Sequence, residues 1–234
     1  MDDQKRFVQA AGICGIIAVL IFMGVALVLE QFYWQKLPAK NLDQILTLMG
    51  RSPNVQINMA GHIAIGFAFL LFAVALLGLR RLMEIEKPRI SVTLGTLFGI
   101  ISCPIMTVQM LVQGTVMVKL GKMCAAAADE PERQTIILLY RGLRNFDIGI
   151  DLAFDMFFFS AWILLGLAML RSRSFGKVLG AFGLIFFAVT AVLNLWSAPT
   201  PPRLELSPIC ALWVLVVFIR MLRSAKSLKV PEKK

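Results

Sequence analysis

The sequence predicts an all-α, polytopic transmembrane bundle of six helices, and three observations carry that prediction. Hydrophobic residues fill 58% of the 234 positions and charged residues 16%, where soluble domains average roughly 45–50% and about 25%. The apolar residues gather into six long blocks, as helices facing lipid require. Lys and Arg stand at the ends of those blocks and not in their middles, the distribution expected when positive loops stay on the cytoplasmic side.

The blocks predict spans near 7–29, 57–79, 90–113, 146–170, 177–196 and 204–222, within a single transmembrane domain covering 1–234. About 20 helical residues at a rise of 1.5 Å cross the roughly 30 Å hydrocarbon core. The first block is longer than the apolar region of a signal peptide, and no A-x-A-like site follows Leu29. It is therefore expected to remain uncleaved. Glu30 and the aromatic Phe32-Tyr-Trp34 after it then reach an interfacial belt.

Residues 41–50 carry an Asn cap, Gln44 three positions on and a closing Gly50. They predict a short amphipathic helix lying at the outer interface. In the third span Pro104 removes a backbone donor and is expected to kink the helix. Asp129-Glu130-Pro131 opens a helix at 131–145 that runs without a break into the fourth span. Gly95/Gly99 and Gly176/Gly180 each set two glycines on one helix face. Such faces permit close helix packing, within the chain or against a membrane partner or second copy.

With the N-terminus inside, the cytoplasmic segments hold Lys5, Arg6, Arg80, Arg81, Lys87, Arg89, Arg171, Arg173, Lys177, Arg220, Arg223, Lys226, Lys229, Lys233 and Lys234, most of the 24 Lys and Arg residues. Both termini are thus predicted inside, and helices 3 and 4 project outward as a hairpin with its tip near 124–130. The net charge of +10 has its explanation in this topology. No basic stretch carries a recognition motif or interleaved aromatics, so nucleic acid is not an expected partner. Cys14, Cys103 and Cys210 fall in apolar blocks and Cys124 in a loop, with no CxxC pair and no expected disulfide.

The chemistry concentrates at Asp147, Asp151 and Asp155. Spaced at i, i+4 and i+8, they share one helical stripe about 80° wide. Counting back from Arg171 sets Asp147 in water, Asp151 at the interface and Asp155 about one turn below it. An acid at that depth must face protein or a wet cavity and find a partner. The same count brings His62, Gln109, Gln113 and Asn194 to the outer third of the membrane, with Glu30, Arg141 and Arg144 at its periphery. Asp155, Asp151, His62, Gln109, Gln113 and Asn194 are the expected ligand- or ion-binding set, and the identity of any metal is left open.

Several activities are excluded by what these residues are. A haem centre needs several membrane histidines, and His62 is the only one. No HExxH, GxSxG, P-loop or dinucleotide fingerprint occurs. No cofactor is expected, and a catalytic role ranks below binding. The leading expectation is a non-enzymatic protein that senses or binds a ligand or cation in an outward-facing polar pocket. A small proton- or cation-coupled secondary transporter and a structural subunit of a membrane complex are the alternatives.

From Trp162 to Leu184 a span ends in Arg171-Ser-Arg173, a short turn follows, and Leu179-Gly180 opens the next span. This stretch resembles one in a family of uncharacterised bacterial six-helix integral membrane proteins, a domain of unknown function. Family members often carry Pro in the turn, where this chain has Gly176-Lys177. The resemblance implies a multi-pass protein of the bacterial inner membrane and supplies no site residues.

Overall fold

The computed structural model describes residues 2–27, 42–51, 53–197 and 206–226. The helices are α1 (Asp2–Leu27), α2 (Leu42–Met49), α3 (Asn54–Glu86), α4 (Ile90–Val112), α5 (Val118–Ala126), α6 (Glu130–Met169), α7 (Lys177–Ser197) and α8 (Ser207–Lys226), with no strand among the described residues. A five-residue π-helical turn, Gln113–Met117, joins α4 to α5 without interrupting the rod. Six helices, counting α4 through α5 as one, are long and apolar enough to cross a membrane. The protein is a multi-pass membrane protein.

These six spans form a ring. Helix α1 packs on α3 and α8, α3 on α4, α4 on α6 and α6 on α7, and a thinner α7–α8 seam closes the circuit. Trp162 of α6 stands in the middle, 1% exposed. Its ring meets Phe72, Phe187, Trp213 and Phe218 at centroid distances of 5.9, 5.7, 5.2 and 6.4 Å. Trp213 donates its indole N–H to the Leu179 carbonyl at 3.0 Å, so the polar end of that ring is satisfied. The outer surface is equally apolar, with Phe67, Leu70, Leu97, Val108, Ile185 and Val216 among its exposed residues. A soluble monomer does not sustain such a coat, whereas lipid tails do.

The rods overrun the predicted spans. Helix α3 has 33 residues and α6 has 40, about 50 and 60 Å at 1.5 Å per residue. The excess of α6 and α5 builds a second, smaller core of Leu46, Met49, Met117, Cys124, Ile136, Ile137 and Tyr140. Two expectations change here. Helix α2 turns its apolar Leu46 and Met49 onto this hairpin, in place of a lipid interface. Cys124 is a buried helical residue of α5, not a loop residue, with its sulfur 3.7 Å from the Thr47 hydroxyl. Close backbone approach permits the seating, because a Cβ on Gly50 would stand 2.0 Å from the Gly121 carbonyl oxygen.

Start signals behave as their chemistry dictates. Asp129 Oδ1 accepts from the Glu132 N–H at 2.8 Å, and Glu132 Oε2 accepts from the Ala128 N–H at 2.9 Å, a reciprocal cap on α6. Helix α4 runs through Pro104, and the wide turn lies further along, at Gln113. The Asn41 cap and Glu30 lie outside the described residues.

At the opposite end the α3–α4 and α6–α7 turns grip each other. Glu86 accepts hydrogen bonds from Ser172 Oγ (2.8 Å), the Arg173 N–H (3.0 Å) and the Ser174 N–H (2.8 Å). Arg89 donates to the carbonyls of Ala168 (2.9 Å) and Arg171 (2.7 Å) at the end of α6. Gly176 turns the chain with φ at 82°, a conformation open to a residue without Cβ.

Gly95, Gly99 and Gly180 of the predicted glycine faces are occupied within the chain, whereas Gly176 lies in the turn before α7 with nothing within 4 Å and shares no helix face with Gly180. A Cβ on Gly95 would meet the Ala161 carbonyl at 3.0 Å, and one on Gly180 the Gly166 carbonyl at 2.9 Å. Gly166 in turn lies against the Leu184 backbone nitrogen, 2.9 Å from where its Cβ would be. Backbone cannot retreat as a side chain can. Gly166→Leu is expected to lower unfolding free energy by about 1–3 kcal/mol or more. Gly142→Ala, with nothing within 4 Å of the new methyl, should raise it by about 0.4–1 kcal/mol. Unfolding in mixed micelles reads both.

Candidate functional site

The three aspartates of α6 do not stay together. Four residues advance a helix by about 400°, so each step along the stripe drifts about 40°. Asp147 and Asp151 therefore face α4, and Asp155 rotates away toward α7. Helix α4 runs antiparallel to α6 and supplies two glutamines at the matching four-residue interval. Gln113 Nε2 donates to both Asp147 oxygens at 3.1 and 2.9 Å, and Gln109 Nε2 to Asp151 Oδ1 at 3.3 Å. The result is a two-rung ladder between the arms of the hairpin.

Burial along the stripe reverses the expected order. Asp147, expected in water, is only 9% exposed, while Asp151 one turn deeper keeps an exposed side chain. The physical cause is the second core, which continues the protein past the span and covers Asp147. Arg141 and Arg144 are exposed on the same extension.

His62 belongs to neither rung. Its Nδ1–H donates to the Asn58 carbonyl one turn back at 2.7 Å, the carbonyl acceptor assigning the tautomer. The ring sits beside the π turn, where Gly114 makes room: a Cβ there would fall 2.8 Å from the His62 Cβ. This is a local, satisfied arrangement on α3.

Asp155 is different. It is 9% exposed, and Asn194 of α7 donates Nδ2–H to its Oδ2 at 3.0 Å. Both residues line a cavity of about 120 Å³. All six spanning helices contribute to its wall: Val19 and Phe22 from α1, Phe69 and Phe72 from α3, Met106 from α4, Phe154, Phe158 and Phe159 from α6, Asn194 from α7, and Val214 from α8. Asp155 is the one charged residue among the described residues lining it. Asn194 Oδ1 is buried without a hydrogen-bond partner among the described residues. A buried, unused acceptor in a native structure calls for an explanation, such as a ligand.

Of the six residues expected to form one pocket, the structure brings Asp155 and Asn194 to the cavity. It pairs Asp151 with Gln109 and Gln113 with the peripheral Asp147, and it leaves His62 on its own helix. Sequence reasoning missed the aromatic wall, although its signal lies in the stretch Phe154-Asp-Met-Phe-Phe-Phe159. Phe158 and Phe159 follow Asp155 at i+3 and i+4 and must share its face. The group of at least three His, Cys, Asp or Glu side chains that would hold a metal is absent among the described residues.

No family model matches the chain, and neither a curated protein nor a solved structure matches it.

The division between ladder and cavity has an energetic signature. A double-mutant cycle on Gln113→Ala and Asp147→Ala should give a coupling of about 0.6–1.7 kcal/mol, the range of interhelical bonds in membranes. The cycle pairing Gln113→Ala with Asp155→Ala should be additive within about 0.3 kcal/mol. Equal coupling in both cycles would show that the three acids act as one cluster.

Proposed function

We propose that this protein is a non-enzymatic membrane receptor or sensor that binds a small ligand or cation through Asp155 and Asn194 in the central cavity. One observation carries the reading: the single charged side chain among the described residues lining the cavity borders a space walled by every spanning helix. An ionisable side chain within a spanning segment is costly and marks a functional site by default. A ligand touching six helices at once also has the means to shift their packing, as a sensor requires.

The proposed orientation places both termini in the cytoplasm of a bacterial cell, with the protein in its inner membrane. The Glu86–Arg89 end then lies inside, and the hairpin core of α2, α5 and α6 projects outward. The cavity opens in the outer third of the membrane. The Trp162–Leu184 stretch supports a place among the uncharacterised six-helix bacterial membrane proteins. A cation-coupled transporter shares the same site, and gradient-driven flux in proteoliposomes distinguishes it from a sensor.

Sodium, potassium and ethylammonium, each tested alone in zwitterionic nanodiscs, form the test of binding. At least one should raise the wild-type melting temperature, by an amount corresponding to about 2.7 kcal/mol at a hundredfold excess over Kd. None should raise that of Asp155→Asn. If the variant responds as the wild type does, the cavity is not the site.

A further inference from the structure

We propose that the end of the bundle bearing the α6–α7 turn carries a binding site for the phosphate headgroup of an anionic phospholipid. Arg173, Ser174, Arg220, Arg223 and Ser224 would hold the headgroup, and an acyl chain would lie along the exposed face of α8. The site is separate from the central cavity and does not depend on it.

These five residues line a cleft of about 370 Å³ between the α6–α7 turn and α8. A hydrogen bond builds it. Arg220 Nε donates to the Ser174 carbonyl at 2.9 Å and so seats α8 against the turn that Glu86 already grips. That contact brings the guanidinium of Arg173 beside the two that α8 supplies one turn apart. The ion pairs that Arg80 and Arg133 make with Glu84 and Glu130 have no counterpart at these three arginines among the described residues. Glu86, the acid bonded to the turn, commits its oxygens to Ser172 Oγ and to the N–H groups of Arg173 and Ser174, and it does not line the cleft. The lining therefore offers guanidinium and hydroxyl groups and no carboxylate. Each guanidinium presents five N–H donors and no acceptor, in a planar fork that pairs two at a time with phosphate oxygens. Such a wall suits an anion with several oxygens and repels a cation.

Position selects a lipid as the carrier of that phosphate. Helix α7 runs Lys177–Ser197, 21 residues, about 31 Å at 1.5 Å per residue and so about the thickness of the hydrocarbon. Its first residue then stands at one hydrocarbon boundary. Arg173 and Ser174 precede it by about one turn, at headgroup depth. On α8 the residues Ile209, Leu212, Val216, Arg220 and Arg223 follow at intervals of three or four and share one face. The first three are 39%, 50% and 49% exposed, and both arginines are exposed as well. An apolar strip thus leads from the hydrocarbon into the basic cleft, which matches the two parts of a phospholipid. Basic pockets between spanning helices recognise anionic headgroups in this way. A choline headgroup is a poorer match, because its own cation meets the arginines.

Native mass spectrometry of the full chain, released from a neutral detergent, gives dissociation constants for the first phosphatidylglycerol or phosphatidylcholine bound. Phosphatidylglycerol should bind at least about thirtyfold more tightly. Arg173→Gln with Arg223→Gln removes no side-chain hydrogen bond or ion pair between described residues. It should weaken phosphatidylglycerol about twenty-fivefold, about fivefold per arginine, and leave phosphatidylcholine unchanged. Arg80→Gln with Arg81→Gln removes the same charge from the same end of the bundle, and should change neither constant by more than about threefold. Glycerol 3-phosphate, which carries the phosphate without the chains, should displace phosphatidylglycerol only at about a hundredfold excess or more. Equal losses in the two double variants reduce the effect to net charge and overturn the proposal. A wild-type protein that takes both lipids equally overturns it as well. Displacement by equimolar glycerol 3-phosphate makes the ligand a free phosphate ester, and that too overturns the lipid assignment.

Discussion

A carboxylate on a membrane-spanning helix has to be turned toward protein and given a partner, and each of the three acids along α6 has an amide partner on a neighbouring helix. The helical repeat does not divide evenly by four. A stripe of acids at four-residue intervals therefore winds around its helix, and its members meet different neighbours. Asp147 and Asp151 find glutamines on α4. Asp155 has turned far enough to meet Asn194 on α7. One pattern in the chain thus serves two ends, a ladder that ties a hairpin and a charge that enters a cavity.

The ladder makes sense of the hairpin's other features. The arms α4–α5 and α6 run on beyond the predicted spans. Two amide–carboxylate rungs join them at the point of departure, and the small core under α2 joins them above. The π turn at Gln113–Met117 begins on a rung residue. Such wide turns re-aim the helix beyond them, and in this hairpin the next segment, α5, must reach α2 through the Gly50–Gly121 contact. At the other end Glu86 and Arg89 perform the corresponding task with backbone groups. Each end of the bundle therefore has its own fastening, and the middle is left to aromatic packing around Trp162.

Much of this architecture was legible in the residues. Six apolar blocks, the cap at Asp129, the uninterrupted run into α6 and the short helix before Gly50 all follow from local rules of hydropathy and capping. The meeting of Asp155 with a polar partner was legible too, because an acid on a spanning helix has to find one. Rotation and register were not disclosed by the residues. Gln109, Gln113 and Asn194 were expected near the acids, but which amide meets which acid depends on how α4 and α7 are phased against α6. That phasing is decided by contacts such as Gly166 on Gly180. Burial of Asp147 and Cys124 was hidden for a related reason, since it comes from a second core that no single segment encodes. Glu86 and Arg89 read as ordinary ends of charged loops, and their role emerges only when the α6–α7 turn is brought beside them.

The two kinds of acid differ in their surroundings. The Asp147 and Asp151 rungs tie α4 to α6 toward the hairpin end, beyond the close approach of Gly95 to Ala161. Asp155 and Asn194 join α6 to α7, a pair already locked by the backbone approach of Gly166 and Gly180 and by the Glu86 clamp on the turn between them. Gly166 lies eleven residues from Asp155, about 16 Å along the same helix, so the seam is secured well before the acid is reached. A carboxylate set among aromatic rings carries a desolvation cost in folding. Costs of that kind concentrate where a protein has work to do. The cavity beside Asp155 and the Asn194 oxygen, which has no partner among the described residues, are the features of α6 that the packing of the bundle does not account for.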